Sequence, residues 1–532
     1  MGLRHTDDIQ RVTGLSSQAG VVHSYSQEEA LAFSTFINNH LSHDADLAHI
    51  LPLADADALF AGMKDGWLPA KLVNFAAPNT IDERILHKRK PTRDLSSFEI
   101  LENLQTVLMS ARSLGIQLVN IGPNDLMDGT PHLVLGVSWQ IIRMALLADI
   151  TLADHPELYL LLHEDEDIET FRSQVPEAIL IRWFNYHLAR DASYKRRVNN
   201  FGKDVQDCDS YLTLLHQLDK EQCPIGVRSS GSDDEKAQAV LSYAETLGVK
   251  PFLQPSDILD ANAKLNLAFV AEIFNACPGL FLEEEEEEKM QRELKEVEDD
   301  DPSVGREERV FKAWLNNMGV EGVNVHSLFH DLRDGIILSK VLEHLAPGTV
   351  DARRISDPAK MVFHRNMNCQ YVLDQVEDKL NCKLINIDGQ DIAKGNRKLT
   401  LGVIWQVMRY DILHFLTALG KSEKDVLTWV NATLAKAGHT VSVRTFGEHI
   451  TRDCTLYASL LKQIEPRVID MGLIHSEAPT QEQQEANARY VLTAARRCGF
   501  LVYAVPEDLV SGSSKIHMQF VAALMAGAQK EQ

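Results

Sequence analysis

Two fifteen-residue segments of this 532-residue chain carry the same pattern. Gly129–Arg143 reads GTPHLVLGVSWQIIR and Gly395–Arg409 reads GNRKLTLGVIWQVMR, and at a constant offset of 266 eight of the fifteen positions are identical. The stretch from Leu133 to Leu147 is apolar almost all round, which is typical of a helix in the middle of a small domain. A helix that recurs at a long, fixed spacing indicates that a whole domain has been duplicated.

Further matches extend the duplication in both directions. A first set surrounds the repeated helix, and a second set lies downstream at an offset of 246. The pairs are Asp65-Gly66/Asp334-Gly335, Phe98/Phe363, Asn120/Asn386, Asp125/Asp391, Trp183/Trp429, Asn185/Asn431 and Leu188/Leu434. The two sets alternate, so the sequence predicts the order A–B–linker–A′–B′, with four units of about 110 residues each.

The linker is the acidic run EEEEEEKMQRELKEVEDDD at residues 283–301, with twelve acidic and three basic side chains. Such a run repels itself and buries nothing, so we expect a solvated linker with at most transient helix. It divides the chain into halves near 24–282 and 305–530, each with its own apolar core.

Each unit is predicted to be all-α. Ala30, Phe33, Ile37 and Leu41 recur at helical spacing after Ser26, a plausible N-cap. A second helix is predicted from the spacing of Phe98, Leu101, Leu104 and Leu108, and alternating strand patterns are missing. We expect the tryptophans at 139, 183, 314, 405 and 429 to be core anchors.

Composition excludes several classes of protein. The net charge of −23 argues against a nucleic-acid binder, and no apolar run is long enough for a membrane-spanning helix. Seven scattered cysteines without a CxxC motif favour reduced thiols in the cytoplasm, not a zinc site or a disulfide framework. No HExxH motif or nucleophile elbow is present, so the sequence does not predict an enzyme, a metal or a cofactor.

Two basic clusters stand out in this acidic chain. One is the stretch from His87 to Arg93, with Lys88, Arg89, Lys90 and Arg93, and the other is Tyr194-Lys195-Arg196-Arg197. A charge run is usually a solvated face, but patches of minority sign steer an acidic protein towards an acidic partner.

Several motifs resemble the fimbrin/plastin family. They are HSYS at 23–26, TIDER at 80–84, PHLVLG at 131–136, KLNLAFVAEIFN at 264–275 and VPEDLV at 505–510. The resemblance covers nearly the whole chain and agrees with the duplication. It implies four calponin-homology helical bundles arranged as two tandem actin-binding domains. The expected boundaries are an N-terminal tail at 1–23, domains at 24–150, 170–282, 305–418 and 422–530, and the acidic linker at 283–304.

The resemblance also implies where filamentous actin (F-actin) binds. In the family the contacts are attributed to segments that correspond here to Ser26–Leu41, Pro131–Leu147 and Pro176–Arg190, and in the second half to Arg306–Asn317, Arg397–Phe415 and Ser422–Lys436. With the first basic stretch, the candidate actin-binding residues are Lys88, Arg89, Lys90, Arg93, His132, Gln140, Arg143, Arg182, Arg306, Lys398, Gln406 and Arg409.

The implied function is a monomeric, cytoplasmic cross-linker that bundles actin by holding two filaments. The alternative is a scaffold that engages a single filament, or another cytoskeletal partner, through one domain pair. Family members usually begin with calcium-binding EF-hands, but no segment here supplies the ligands and turn glycine of such a loop, so we expect bundling to be indifferent to calcium.

Overall fold

The computed structural model describes residues 9–12, 23–90, 92–163, 166–297, 303–418, 423–440, 442–446 and 452–530. Its first fourteen helices are α1 Gln27–Leu41, α2 Ala56–Gly62, α3 Trp67–Ala76, α4 Ser97–Ser113, α5 Pro123–Asp128, α6 Pro131–Leu147, α7 Ile168–Arg172, α8 Pro176–Ala189, α9 Asp209–Leu218, α10 Gly226–Ser230, α11 Asp233–Thr246, α12 Pro255–Leu259, α13 Ala263–Ala276 and α14 Glu284–Val297.

The second half of the chain repeats most of this order, with eleven helices among its described residues. Its helices are α15 Ser303–Asn317, α16 Leu328–Asp331, α17 Ile336–Leu345, α18 Val362–Asp378, α19 Gly389–Lys394, α20 Arg397–Ala418, α21 Glu423–Lys436, α22 Thr455–Ile464, α23 Gln481–Arg497, α24 Pro506–Ser511 and α25 Ser514–Lys530. Short 3₁₀ turns lie at Ala45–Leu47, Glu83–Ile85, Pro156–Leu161, Ala352–Arg354 and Met471–Leu473. The all-α prediction is confirmed.

One small sheet qualifies that prediction. Strand β1, Ile9–Val12, pairs antiparallel with strand β2, His23–Ser26, in a register that sets Ile9 opposite Ser26. Four-residue strands are too short to show alternation, which is why periodicity missed them. Ser26 then ends the strand and caps α1, its hydroxyl accepting from the Glu29 amide at 3.1 Å as predicted.

The chain forms two compact units that differ from the expected halves. Unit 1 contains residues 1–77 and 124–298, and unit 2 contains residues 78–123 and 299–532. The segment 78–123, with helix α4, therefore belongs to the same compact unit as the second half of the sequence.

Unit 2 shows how this segment is held. Helix α4 packs against α23 and α15. The Arg496 side chain, only 2% exposed, donates to the carbonyl oxygens of Thr80 at 3.0 Å and Ala504 at 2.7 Å. Arg497 donates to the Ile85 carbonyl and pairs with Glu102. The TIDER motif at 80–84 thus docks on α23.

The acidic segment is more ordered than predicted, since most of it forms helix α14. Met290 is 4% exposed within unit 1, and the Lys289 ammonium lies 5.9 Å from the centre of the Tyr159 ring. The helix packs against α7. The buried Met290 attaches the helix to unit 1, while residues 298–302 of the predicted linker lie outside the described part.

Candidate functional site

A stripe of polar side chains runs along α6 in unit 1. His132, Gly136, Gln140 and Arg143 are spaced by four, four and three residues, which places them on one face of the helix. All four are half-buried. This stripe, called the α6 stripe below, contains three of the predicted actin-binding residues.

Beside the stripe, Trp139 joins three helices of unit 1. Its ring stacks on Phe33 of α1, with centroids 6.1 Å apart and planes within 11° of parallel. The Lys264 ammonium of α13 lies 5.7 Å from the Trp139 centroid and pairs with Glu29 of α1 at 2.7 Å. The stack and the ion pair fix α1, α6 and α13 relative to one another.

Unit 2 contains the same construction at the duplicated positions. Trp405 of α20 stacks on Phe311 of α15, with centroids 6.5 Å apart and planes within 21° of parallel. Lys515 of α25 pairs with Glu307 of α15 at 2.6 Å. The repeat is therefore preserved in side-chain geometry as well as in sequence.

The tryptophan prediction is only partly right. Trp183 and Trp314 are buried, at 0% and 3% exposure, but Trp139, Trp405 and Trp429 are half-buried. The indoles at 139 and 405 cover the junction between helices and still keep part of the ring at the surface, as amphipathic aromatic side chains commonly do.

Gly136 leaves an opening in the α6 stripe. A Cβ atom built on Gly136 meets no neighbouring atom within 4 Å, and one built on the duplicate Gly402 meets only the Ile387 Cδ1 at 3.6 Å, an ordinary contact. Both glycines lie inside long helices, where glycine is less favourable than alanine by roughly 0.5–1 kcal/mol. Packing within the units therefore does not require either glycine.

Both arginines predicted for the first site are engaged by carboxylates. Arg143 donates through Nε to Glu177 Oε1 at 2.9 Å and so ties α6 to the start of α8. Arg182 makes a two-bond pair with Glu166, at 2.5 and 3.0 Å, and lies 5.5 Å from the centre of the Phe171 ring. The Arg182 hydrogen bonds keep the pKa of the Glu166 carboxyl below its usual value.

The predicted contact helix at Ser26–Leu41 exposes only part of its surface. It begins at Gln27, and seven of its fifteen residues are buried. Glu28 and Leu31 are exposed, Leu31 at 41%.

The second set of predicted residues lies in unit 2 at duplicated positions. Lys398 is exposed, and Gln406 and Arg409 are half-buried along α20. Arg306 is half-buried on α15. Next to Lys398, Arg397 lies 3.8 Å from Glu308 and 4.4 Å from the centre of the Phe329 ring, which anchors the start of α20 to α15 and α16. Residues 419–422, where the predicted Ser422–Lys436 segment starts, lie outside the described part.

The basic stretch lies before α4, and its residues Lys90 and Arg93 are paired through their backbones. Lys90 and Arg93 exchange two backbone hydrogen bonds, at 3.2 and 3.1 Å. Arg89 pairs with Asp94 at 2.6 Å, and Arg93 pairs with Glu99 at 2.7 Å. The hydrogen bond from Arg93, with those from Ser96, lowers the pKa of Glu99 to about 2. Lys88 and Lys90 are also exposed, whereas Pro91 lies outside the described residues.

The structure separates the predicted residues into two groups. His132, Gln140, Arg143 and Arg182 belong to unit 1. The basic stretch belongs to unit 2, together with Arg306, Lys398, Gln406 and Arg409.

Sequence reasoning missed the Lys264–Glu29 and Lys515–Glu307 pairs. The repeated lysine at the start of KLNLAF and KIHMQF was the signal that could have revealed them.

Within the described residues, His, Cys, Asp and Glu side chains form no group of three or more that could hold a metal ion. A search of the same residues finds no helix long and apolar enough to cross a membrane.

The fold and the repeated surface agree with a known domain family. Residues 27–146, 174–279, 305–412 and 420–530 each match the calponin homology (CH) domain. The chain is therefore a tandem CH-domain protein with four copies of the domain.

Relatives with the same domain order specify the class further. Fimbrin of Saccharomyces cerevisiae is 39% identical over 520 residues, which cover 96% of this chain and 79% of the relative. Human plastin-3 is 37% identical, with coverage of 97% and 82%. A crystal structure of the actin-crosslinking core of Schizosaccharomyces pombe fimbrin matches with a TM-score of 0.81 and 34% identity, over 94% of this chain and all of that one. The chain belongs to the fimbrin/plastin family.

Proposed function

We propose that this protein cross-links actin filaments into bundles, using one filament-binding surface on each unit. The observation that carries the proposal is that the same surface is built twice, with a stacked tryptophan, a lysine–glutamate pair and an open-faced glycine in each copy. A protein that binds only one filament has no need for a second such surface. The solved relative of the same fold is an actin-crosslinking core.

The contact residues we propose are the polar positions of the two stripes. They form the duplicated pairs His132/Lys398, Gln140/Gln406 and Arg143/Arg409, flanked by Arg182 in unit 1 and Arg306 in unit 2. Actin is an acidic partner, so these cations favour encounter and orientation more than they add affinity. The basic stretch at Lys88, Arg89, Lys90 and Arg93 is a further contact, assigned to unit 2.

The wider proposal is a non-enzymatic, monomeric cross-linker in cytoplasmic actin bundles that requires no cofactor. Its domains are those at 24–150, 170–282, 305–418 and 422–530.

The test disables one surface at a time in the full chain, because residues 78–123 belong to unit 2 and a 24–282 fragment would separate them from α23. One variant carries His132→Glu with Gln140→Glu, and the other carries Lys398→Glu with Gln406→Glu. The control replaces the exposed Lys220 and Lys379 by serine.

Co-sedimentation with F-actin at two centrifugal speeds reads out the result. Each single-surface variant should still pellet with filaments at high speed but should lose most low-speed bundling, and the four-substitution combination should lose both. If either variant bundles as well as the control, its stripe is not a filament contact. If wild-type protein pellets only at high speed, the single-filament scaffold is correct.

A further inference from the structure

A cleft of about 750 Å³ lies in unit 1 between α8 and the loop that follows it. The 3₁₀ turn at Pro156–Leu161 closes one side, with Leu160 and Leu161 in its wall. This volume is in the range of sites that hold small organic ligands. The cleft contains the second basic cluster, which actin bundling leaves without a role.

The lining of the cleft is strongly cationic. Arg182, Lys195, Arg196 and Arg197 all line it, in a chain whose net charge is −23. Arg182 is paired with Glu166 and Arg196 with Asp207. Neither Lys195 nor Arg197 has an ion-pair partner among the described residues, and both side chains are exposed.

One carboxylate, Asp191, also lines the cleft but does not oppose these charges. It accepts from Arg228 at 2.9 Å and from the Ser193 hydroxyl at 2.6 Å. The Ser193 and Arg228 hydrogen bonds lower the pKa of Asp191 to about 2, so its negative charge is held by that pair at neutral pH.

The backbone that presents the cations is fixed by an amide clamp. Asn185 on α8 donates through Nδ2 to the Val198 carbonyl at 2.7 Å and accepts from the Val198 amide at 2.9 Å. Arg197 directly precedes this anchored residue. The cation is therefore presented from an ordered loop, which lowers the entropic cost of binding a ligand.

Unit 2 keeps the clamp but not the cations. Asn431 makes the same two hydrogen bonds to Val443, at 2.9 and 2.8 Å. The three residues before Val443 are threonine, valine and serine, where unit 1 has Lys195, Arg196 and Arg197. The fold of this loop therefore does not require positive charge, and the cluster has another purpose in unit 1.

From this juxtaposition we propose that the cleft binds a small ligand bearing two or more phosphate groups. Guanidinium groups match phosphate oxygens in fork geometry, and a lysine adds a mobile point charge. The concave shape favours a compact anion over the flat surface of a filament. A phosphoinositide headgroup and a soluble inositol polyphosphate share this chemistry, and the proposal does not depend on actin binding.

The experiment titrates the full chain with inositol hexakisphosphate by calorimetry, and in parallel with phosphatidylcholine vesicles with or without phosphatidylinositol bisphosphate. The test variant carries Lys195→Thr and Arg197→Ser, the residues that unit 2 uses at the matching positions. The control carries Lys220→Ser and Lys379→Ser, which remove the same charge outside the cleft.

We expect saturable binding by wild type, about tenfold weaker binding by the test variant, and a shallower salt dependence because two charges are gone. The control should bind as wild type. Binding of the soluble probe alone assigns a free phosphorylated ligand, and binding only to the phosphoinositide vesicles assigns a membrane headgroup.

Three results overturn the proposal. They are that wild type fails to bind either probe, that the test variant binds as tightly as wild type, or that the control loses as much affinity as the test variant. In the second case, a parallel loss of actin co-sedimentation by the test variant would assign the cluster to the filament surface.

Discussion

Replacing Gly136 by alanine should stabilise unit 1 and lower its affinity for actin. Most substitutions at a binding surface that lower affinity leave stability unchanged or reduce it. Opposite signs in the two measurements would show that Gly136 is retained for a partner and not for the fold.

The size of both effects follows from the open face of α6. Apart from the adjoining backbone of its own helix, the new methyl group meets no atom within 4 Å, so the helix gains the full alanine preference of roughly 0.5–1 kcal/mol. A gain of that size raises the unfolding midpoint of a unit this large by about 1–4 °C. In the complex, the same methyl overfills a close contact at a cost of about 1–3 kcal/mol, which weakens binding about 5- to 150-fold.

The assay must isolate unit 1, because the second surface would keep the full chain on filaments. Gly136→Ala is therefore measured in the Lys398→Glu, Gln406→Glu background, by high-speed co-sedimentation and by thermal unfolding. Gly226→Ala is the matched control, since it adds the same methyl to an exposed, open glycine in unit 1. Unchanged actin binding with Gly136→Ala would refute the close contact, and a lower midpoint would refute the open face.

Three further predictions address other parts of the molecule. Burial lowers the pKa of His517 to about 4, so the unfolded state protonates first as pH falls from about 6.5 and the free energy of unfolding drops by up to about 3 kcal/mol. His517→Asn copies the asparagine that pairs with Tyr211 in unit 1, Asn266. In urea titrations at pH 7 and pH 4.5, this variant should lose less free energy of unfolding than wild type. The loss that comes from His187, whose pKa is lowered in the same way, should remain. Arg496→Met should lower the free energy of unfolding of unit 2 by about 1–3 kcal/mol, because it leaves the Thr80 and Ala504 carbonyls buried without that donor. Amide exchange in α4 should rise, and unchanged exchange would contradict the docking role. Met290→Asp should detach α14 and speed proteolysis within 284–297, because burial of the Met290 side chain stabilises the attachment of the helix by about 1.5–3 kcal/mol. Gln291→Asp, at the exposed neighbouring position, should not change the rate of proteolysis.

Internal duplication made most of the fold predictable. Matching positions such as Trp139 and Trp405 carry the same stacked geometry in both units, and Ser26 caps α1 as its local sequence indicates. These features depend on helical periodicity and on side-chain chemistry near the cap, and both can be read from a short stretch of sequence.

The membership of segment 78–123 in unit 2 could not be predicted in the same way. The apolar face of α4 has the same pattern whichever helices cover it, so periodicity shows that Leu104 and Leu108 are buried but not that α23 packs there. The burial of Arg496 could not be predicted from the sequence either, because an arginine in a charged helix is usually solvated. Its burial depends on carbonyl acceptors that the fold brings to it from far along the chain.

Comparing the two units position by position separates residues kept for the fold from residues kept for a partner. The lysine–glutamate pair at Lys264–Glu29 is repeated because both units need the same helix junction. Gly136 is repeated although alanine would pack as well and would stabilise the helix, so its duplication indicates a contact that both units make with the same kind of partner. The cations at Lys195 and Arg197 are not repeated, although the clamp beneath them is, and this difference is the basis of the ligand cleft that we propose for unit 1. A ligand cleft in unit 1 alone would allow the two proposed filament contacts to be controlled separately.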